Sequence, residues 1–197
     1  MKSLDRLIRA LRRMPGIGPR QAERLSAYFL RAPIGEVEEF TRALAEMKQN
    51  IKLCRICFTY SEQDVCDVCR DPDRDRGLIC VVEDPQDIEA IEKTRSYKGL
   101  YHVLHGTVSP MDGRGAEQLK VRELVNRVKN SPVRVREVIF ATDPDSEGET
   151  TALYLADLLR PLVGQVSRIG YGVPLGGDLD YLDEMTLGCS LKGRTKI

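Results

Sequence analysis

Two Cys-x-x-Cys pairs, Cys54/Cys57 and Cys66/Cys69, stand eight residues apart, and nothing else in this chain restricts its fold so tightly. Each pair is a knuckle that presents two thiolates from one short turn. Two knuckles together supply the four sulfur ligands of a tetrahedral Zn²⁺ site. The intervening FTYSEQDV has the length of a small hairpin and too few apolar residues to fold alone, so the metal would supply the folding free energy. Four thiolates leave no coordination position for water, which predicts a structural ion. The chain opens on Met1-Lys2-Ser3 and an arginine-rich amphipathic stretch, without a secretory pattern. A disulfide framework is therefore not expected, and a cytoplasmic location is. Cys80, within LICVV, and Cys189 fall outside the pattern and read as packing residues.

The formal net charge of the 197 residues is zero, but residues 1–58 carry 12 Lys/Arg against 6 Asp/Glu, and the remainder carries 18 against 24. A neutral total thus hides a basic N-terminal part, where a nucleic-acid contact is to be sought. There Leu4, Leu7, Ile8, Leu11 and Met14 recur at helical spacing, and PGIGPRQAERL follows. Pro15, Gly16, Gly18 and Pro19 stop one helix and start the next, giving a helix-hairpin-helix. Ile17 is placed as a plug between the helices. Gly16 and Gly18 permit close backbone approach, so amides at the start of the second helix can hold a phosphate, with Arg20 and Arg24 beside them. Such a contact reads backbone rather than base edges and binds DNA without sequence preference. A third helix, with Val37, Phe40, Leu44, Met47 and Ile51, is expected to complete a small helical module.

From Leu78 the pattern changes to short apolar runs alternating with helices. LICVVE, YHVLHG and REVIFATD read as buried strands of a mainly parallel sheet in a βαβ series. Sites in such sheets form at the carboxyl ends of strands. Glu83 ends the first run, while Asp143, Asp145, Glu147 and Glu149 crowd into seven positions after the last. Carboxylates so close are costly unless a cation or a partner neutralises them, and hard oxygen ligands suit Mg²⁺. His102 and His105 read as strand-end structural residues, and HGTVSPMDGRG as an exposed loop over the same strand ends.

A Glu after the first strand and Asp-x-Asp after a later one, here Glu83 and DPDSEGE, resemble a Toprim domain. That resemblance implies that Asp143, Asp145 and Glu147 bind Mg²⁺, with Glu83 as general acid/base in catalytic relatives. The order of hairpin, four-cysteine site and Toprim domain, followed by YGVPLGGDLDYLDEMTLGCSLKGR, is similar to the RecR family of bacterial recombination mediators over essentially the whole chain. The implied architecture is α+β and multi-modular: 1–53 helix-hairpin-helix, 54–77 zinc finger, 78–173 α/β Toprim domain, 174–197 a segment described in the family as Walker B-like. No Gly-Lys-Ser/Thr phosphate loop occurs, so ATP hydrolysis is not inferred. The chain has His105-Gly106 where members often have Gly-Gly, and it keeps both Asp143 and Asp145 where many members lack one or both. The resemblance implies a non-catalytic, nucleoid-associated DNA-repair protein. It would bind single- and double-stranded DNA as a dimeric or tetrameric ring and help RecO and RecF load RecA onto DNA coated by single-strand-binding protein. A small Mg²⁺-dependent Toprim nuclease is the alternative.

Overall fold

The structure, a computed structural model, describes residues 1–109, 111, 113–174 and 176–194. Pro110 and Asp112 of the HGTVSPMDGRG loop, Leu175 and residues 195–197 lie outside that set. The chain forms two compact units, Met1–Ile51 and Lys52–Ile197.

The first unit contains helices α1 (Lys2–Leu11), α2 (Pro19–Arg31) and α3 (Ile34–Asn50). Gly16 adopts φ +76°, a left-handed conformation that lets the chain reverse after α1. Gly18 then precedes Pro19, whose ring fixes the first turn of α2. Leu11, Ala22 and Ser26 are buried between the helices, and the Phe29 and Phe40 rings meet at 5.2 Å. The third helix contributes less to this core than its apolar residues suggest. No residue of α3 is buried, and Phe40, Leu44, Met47 and Ile51 remain 40–51% exposed.

The second unit begins with a small antiparallel pair, β1 (Lys52–Leu53) with β2 (Tyr60–Ser61), and one turn of helix, α4 (Asp67–Arg70). A sheet follows, built from β3 (Asp75–Val82), β4 (Gly99–Val103), β5 (Glu137–Ala141) and β6 (Gln165–Arg168) in the order β4-β3-β5-β6, every neighbouring pair parallel. Helices α5 (Pro85–Lys93), α6 (Val121–Lys129) and α7 (Ser146–Leu159) alternate with the strands, and α8 (Glu184–Lys192) closes the described chain. The four-residue, largely polar β6 is not among the runs legible as strands. The α/β architecture and its parallel sheet are as the sequence predicts.

Strand periodicity sorts the core into two layers. On one face Ile79, Val81, Val138 and Phe140 pack against Leu124 and Val128 of α6 and Leu155 and Leu159 of α7. Burying each leucine contributes roughly 2–3 kcal/mol. On the other face Cys80, Val82, Tyr101 and Val103 pack against Ile88 of α5, with Phe58 and Val68 from the cysteine module beside them. Cys80 is thus a packing residue, and burial pushes its thiol up to about 12.

Strand β4 lies at an end of the sheet, yet two of its outer groups are occupied. Its inner side is bonded to β3, as in Leu104 N–H to the Val82 carbonyl at 2.9 Å. On the outer side, the Val103 N–H donates to the Cys57 carbonyl at 2.8 Å, and Arg127 Nη1 of α6 donates to the Tyr101 carbonyl at 2.5 Å. His105 holds the same knuckle, with Nε2 2.8 Å from the Phe58 carbonyl. Lys120 stands over the Phe58 ring and the His102 ring meets its edge.

Candidate functional site

The four cysteines converge. Cys54, Cys57, Cys66 and Cys69 are all buried, and their sulfurs lie within 4.8 Å of one another. Local turns place them. The Phe58 N–H bonds the Cys54 carbonyl at 2.9 Å, and the Cys54 N–H bonds the Thr59 carbonyl at 2.7 Å. Phe58, at φ +65°, turns the first knuckle back on itself. In the second, the Cys66 N–H donates to Cys54 Sγ at 3.3 Å, the N–H···S bond expected of a thiolate held for a metal. A four-sulfur donor set of this compactness fits Zn²⁺ and leaves no open position, which makes the centre structural.

The acids are arranged differently. Val82 pairs with Ala141 across β3 and β5, so the two strand ends open together where the order reverses, between β3 and β5. Glu83 Oε1 accepts from the Asp143 N–H at 2.9 Å, which joins the two halves of the predicted motif. Burial, joined by the charges of Asp143, Asp145 and Asp87 and opposed by the Asp143 amide, pushes the Glu83 carboxyl up to about 7. Asp145 serves as N-cap of α7, accepting from the Gly148 N–H at 2.7 Å. Gly148 is required there, because a Cβ would collide with the Asp143 carbonyl. Glu147 is held by the loop after β4, accepting from Thr107 Oγ1 at 2.9 Å and Ser109 Oγ at 2.7 Å, with Arg114 at 3.9 Å. Glu149 is paired with Arg168, and Tyr171 also donates to it. Among the described residues, the only group of three or more potential metal ligands within mutual reach is the four cysteines. The structure therefore brings Glu83 to Asp143, while Asp145 and Glu147 have protein partners of their own.

Neither histidine lies among those acids. His102 is fully buried with Nε2 2.9 Å from the Lys120 carbonyl, and burial lowers its pKa to about 3, so it stays neutral. His105 has φ +61°, in the left-handed region that suits glycine. The hydroxyls of Thr107 and Ser109 carry no sequence signal that links them to Glu147, some 40 residues on.

In the helical unit, Gly16, Gly18, Arg20 and Arg24 are exposed and Ile17 is half-buried. No side chain caps the start of α2, and a Cβ at Gly18 would meet nothing within 4 Å. The start of α2 is thus uncapped and open, with exposed Arg20 and Arg24 in its first two turns.

The chain matches four family models in sequence order: RecR helix-hairpin-helix over residues 4–48, RecR four-cysteine zinc finger domain over 51–71, Toprim domain over 77–170 and RecR C-terminal over 172–195. It is 50% identical over 200 residues to a protein named recombination protein RecR from Cyanothece sp., covering 100% of this chain and 97% of that one. It is equally 50% identical, over 196 residues, to the protein of that name from Pelotomaculum thermopropionicum, again covering 100% and 97%.

Proposed function

The chain belongs to the RecR family of recombination proteins, and from that premise we propose that it is a non-catalytic, DNA-binding mediator of recombinational repair. In this reading it helps RecO and RecF load RecA onto single-stranded DNA by displacing single-strand-binding protein. The observation that carries the reading is the uncapped start of α2, with Gly16 and Gly18 open beside Arg20 and Arg24. Amide dipoles and guanidinium groups recognise phosphate on single- and double-stranded DNA alike, without reading bases.

Assembly follows from the same unit. The exposed stripe of Phe40, Leu44 and Met47 on α3, continued by Ile51 at its end, supports burial against a second copy in a dimer or tetramer ring. Repeating the basic hairpins around a ring would concentrate positive charge where DNA passes. The acidic strand edge serves RecO in this account, as a negative surface for a basic site, and binds Mg²⁺ at most weakly through Asp143, Asp145 and Glu147.

Glu83 favours a second reading. A carboxyl at about 7 has the pKa of a general acid/base, as a Mg²⁺-dependent Toprim nuclease would need. One preparation decides between them, assayed for DNA binding and for cleavage with Mg²⁺ or Mn²⁺. The mediator binds without cutting; nicking that is abolished by Asp143→Asn with Glu147→Gln overturns it. Arg20→Glu with Arg24→Glu should weaken binding to all sequences alike. It should also flatten the log–log salt dependence by about 1.8, at roughly 0.9 per lost phosphate contact, with an unchanged circular dichroism spectrum. Unaltered affinity at low salt would place the DNA site elsewhere.

A further inference from the structure

A zinc ion held by four thiolates carries a net negative charge, and here the ligands are 0–7% exposed. Net charge at that depth is costly unless a counter-charge or hydrogen-bond donors surround it. The cysteine module does not provide the cation itself. Lys52 is paired with Asp64, Arg70 with Asp67 and Gln63, and Arg55 is exposed.

A cation is available from across the sheet edge. Arg127 projects from α6, whose Val121, Leu124 and Val128 are fixed in the core. Its Nη1 is anchored on the Tyr101 carbonyl, and Val103, two residues along the same outer edge, donates to the Cys57 carbonyl. The two anchors are separated by roughly 6.6 Å of strand. Other largely buried arginines have carboxylates: Arg74 has Glu92 and Asp71, and Arg168 has Glu149. Arg127 has no carboxylate among the described residues, and its Nη2 is buried without a hydrogen-bond partner. Burial lowers its pKa, while the sulfurs of Cys69, Cys57 and Cys54 act to raise it.

We propose that Arg127 is the counter-charge of the zinc centre, a positioning residue that lends the Cys54/Cys57/Cys66/Cys69 site a buried guanidinium from α6. Zinc retention is thereby tied to the Arg127 bond that joins α6 to β4. A guanidinium suits the place, because Nη1 binds the Tyr101 carbonyl while Nη2 stays buried and without a hydrogen-bond partner.

The test follows zinc transfer from the intact protein to a chromophoric chelator, beside metal content and the charge-transfer bands of the Co²⁺-substituted protein. Arg127→Met keeps bulk without charge, Arg127→Gln keeps a donor for Tyr101 without charge, and Arg127→Lys keeps charge. Met and Gln are expected to weaken metal retention by about 10–100-fold and to shift the Co²⁺ bands, with Lys close to wild type. If Met does not fold, the Gln–Lys comparison carries the test. Equal release from wild type and Gln, or release from Lys as fast as from Gln, overturns the proposal. A folded wild-type protein without zinc overturns the metal reading along with it.

Discussion

The cysteine set and the acid set each offer four candidate ligands, and the molecule treats them in opposite ways. The thiolates come from two tight turns and face a common point, with Cys66 N–H on Cys54 Sγ as a supporting contact. The acids come from strand ends and a helix start, and three of them meet protein first: an amide for Glu83, the α7 cap for Asp145, two hydroxyls for Glu147. Crowded like charges do not by themselves demand a cation. Backbone amides and loop hydroxyls stabilise carboxylates as well, and they hold them apart.

The hardest blow to this contrast is removal of a sulfur. Cys57→Ala should take the zinc content from about one per chain to none and cost the fold of residues 52–71. The metal supplies ~10–16 kcal/mol in isolated zinc-finger peptides. Metal analysis and size-exclusion chromatography read this directly, and a well-folded, zinc-free protein would sink the structural role.

A gentler change acts on the acids. Thr107→Ala with Ser109→Ala removes both hydroxyls from Glu147 and should cost about 2 kcal/mol, since solvent replaces part of each bond. Stabilisation by added Mg²⁺ in thermal melts should rise with Glu147 released, and no change would mean that the hydroxyls are not what keeps it from a metal. Smallest is Glu83→Gln. The folded carboxyl titrates near 7 against an ordinary 4.5. Between those values the folded chain holds a proton that the unfolded chain gives up, so stability is lost as pH rises through about 4.5–7. The variant, whose amide oxygen can still accept from Asp143, should therefore gain on the order of 1 kcal/mol at pH 8 and none near pH 4, after allowance for solvent screening of a partly exposed group. Equal gain at both pH values would remove charge as the cause.

The legible features were those whose cause is local. Knuckle spacing located the cysteines, the Gly16–Pro19 turn the hairpin, and the apolar runs three strands of the sheet. What escaped depends on distant partners or weak pattern. Gln165–Arg168 is a strand because Glu137–Phe140 lies beside it, not because its residues demand one. The α3 stripe has a helical period, but spacing does not say whether its partner lies within the chain. Glu147 and Thr107 are joined only once β4 and β5 flank β3, and Arg127 meets the zinc module only through the edge of β4.

That partly covered edge has a meaning for the protein's life in solution. A bare strand edge is a template on which another chain can extend the sheet, and Gly99–Val103 is buried along its whole length, with no charged gatekeeper but a neutral histidine. The Cys57 knuckle is the cover on that template. Metal scarcity would then do more than loosen a small module: it would uncover an adhesive β-edge and convert each starved molecule into a seed for intermolecular association.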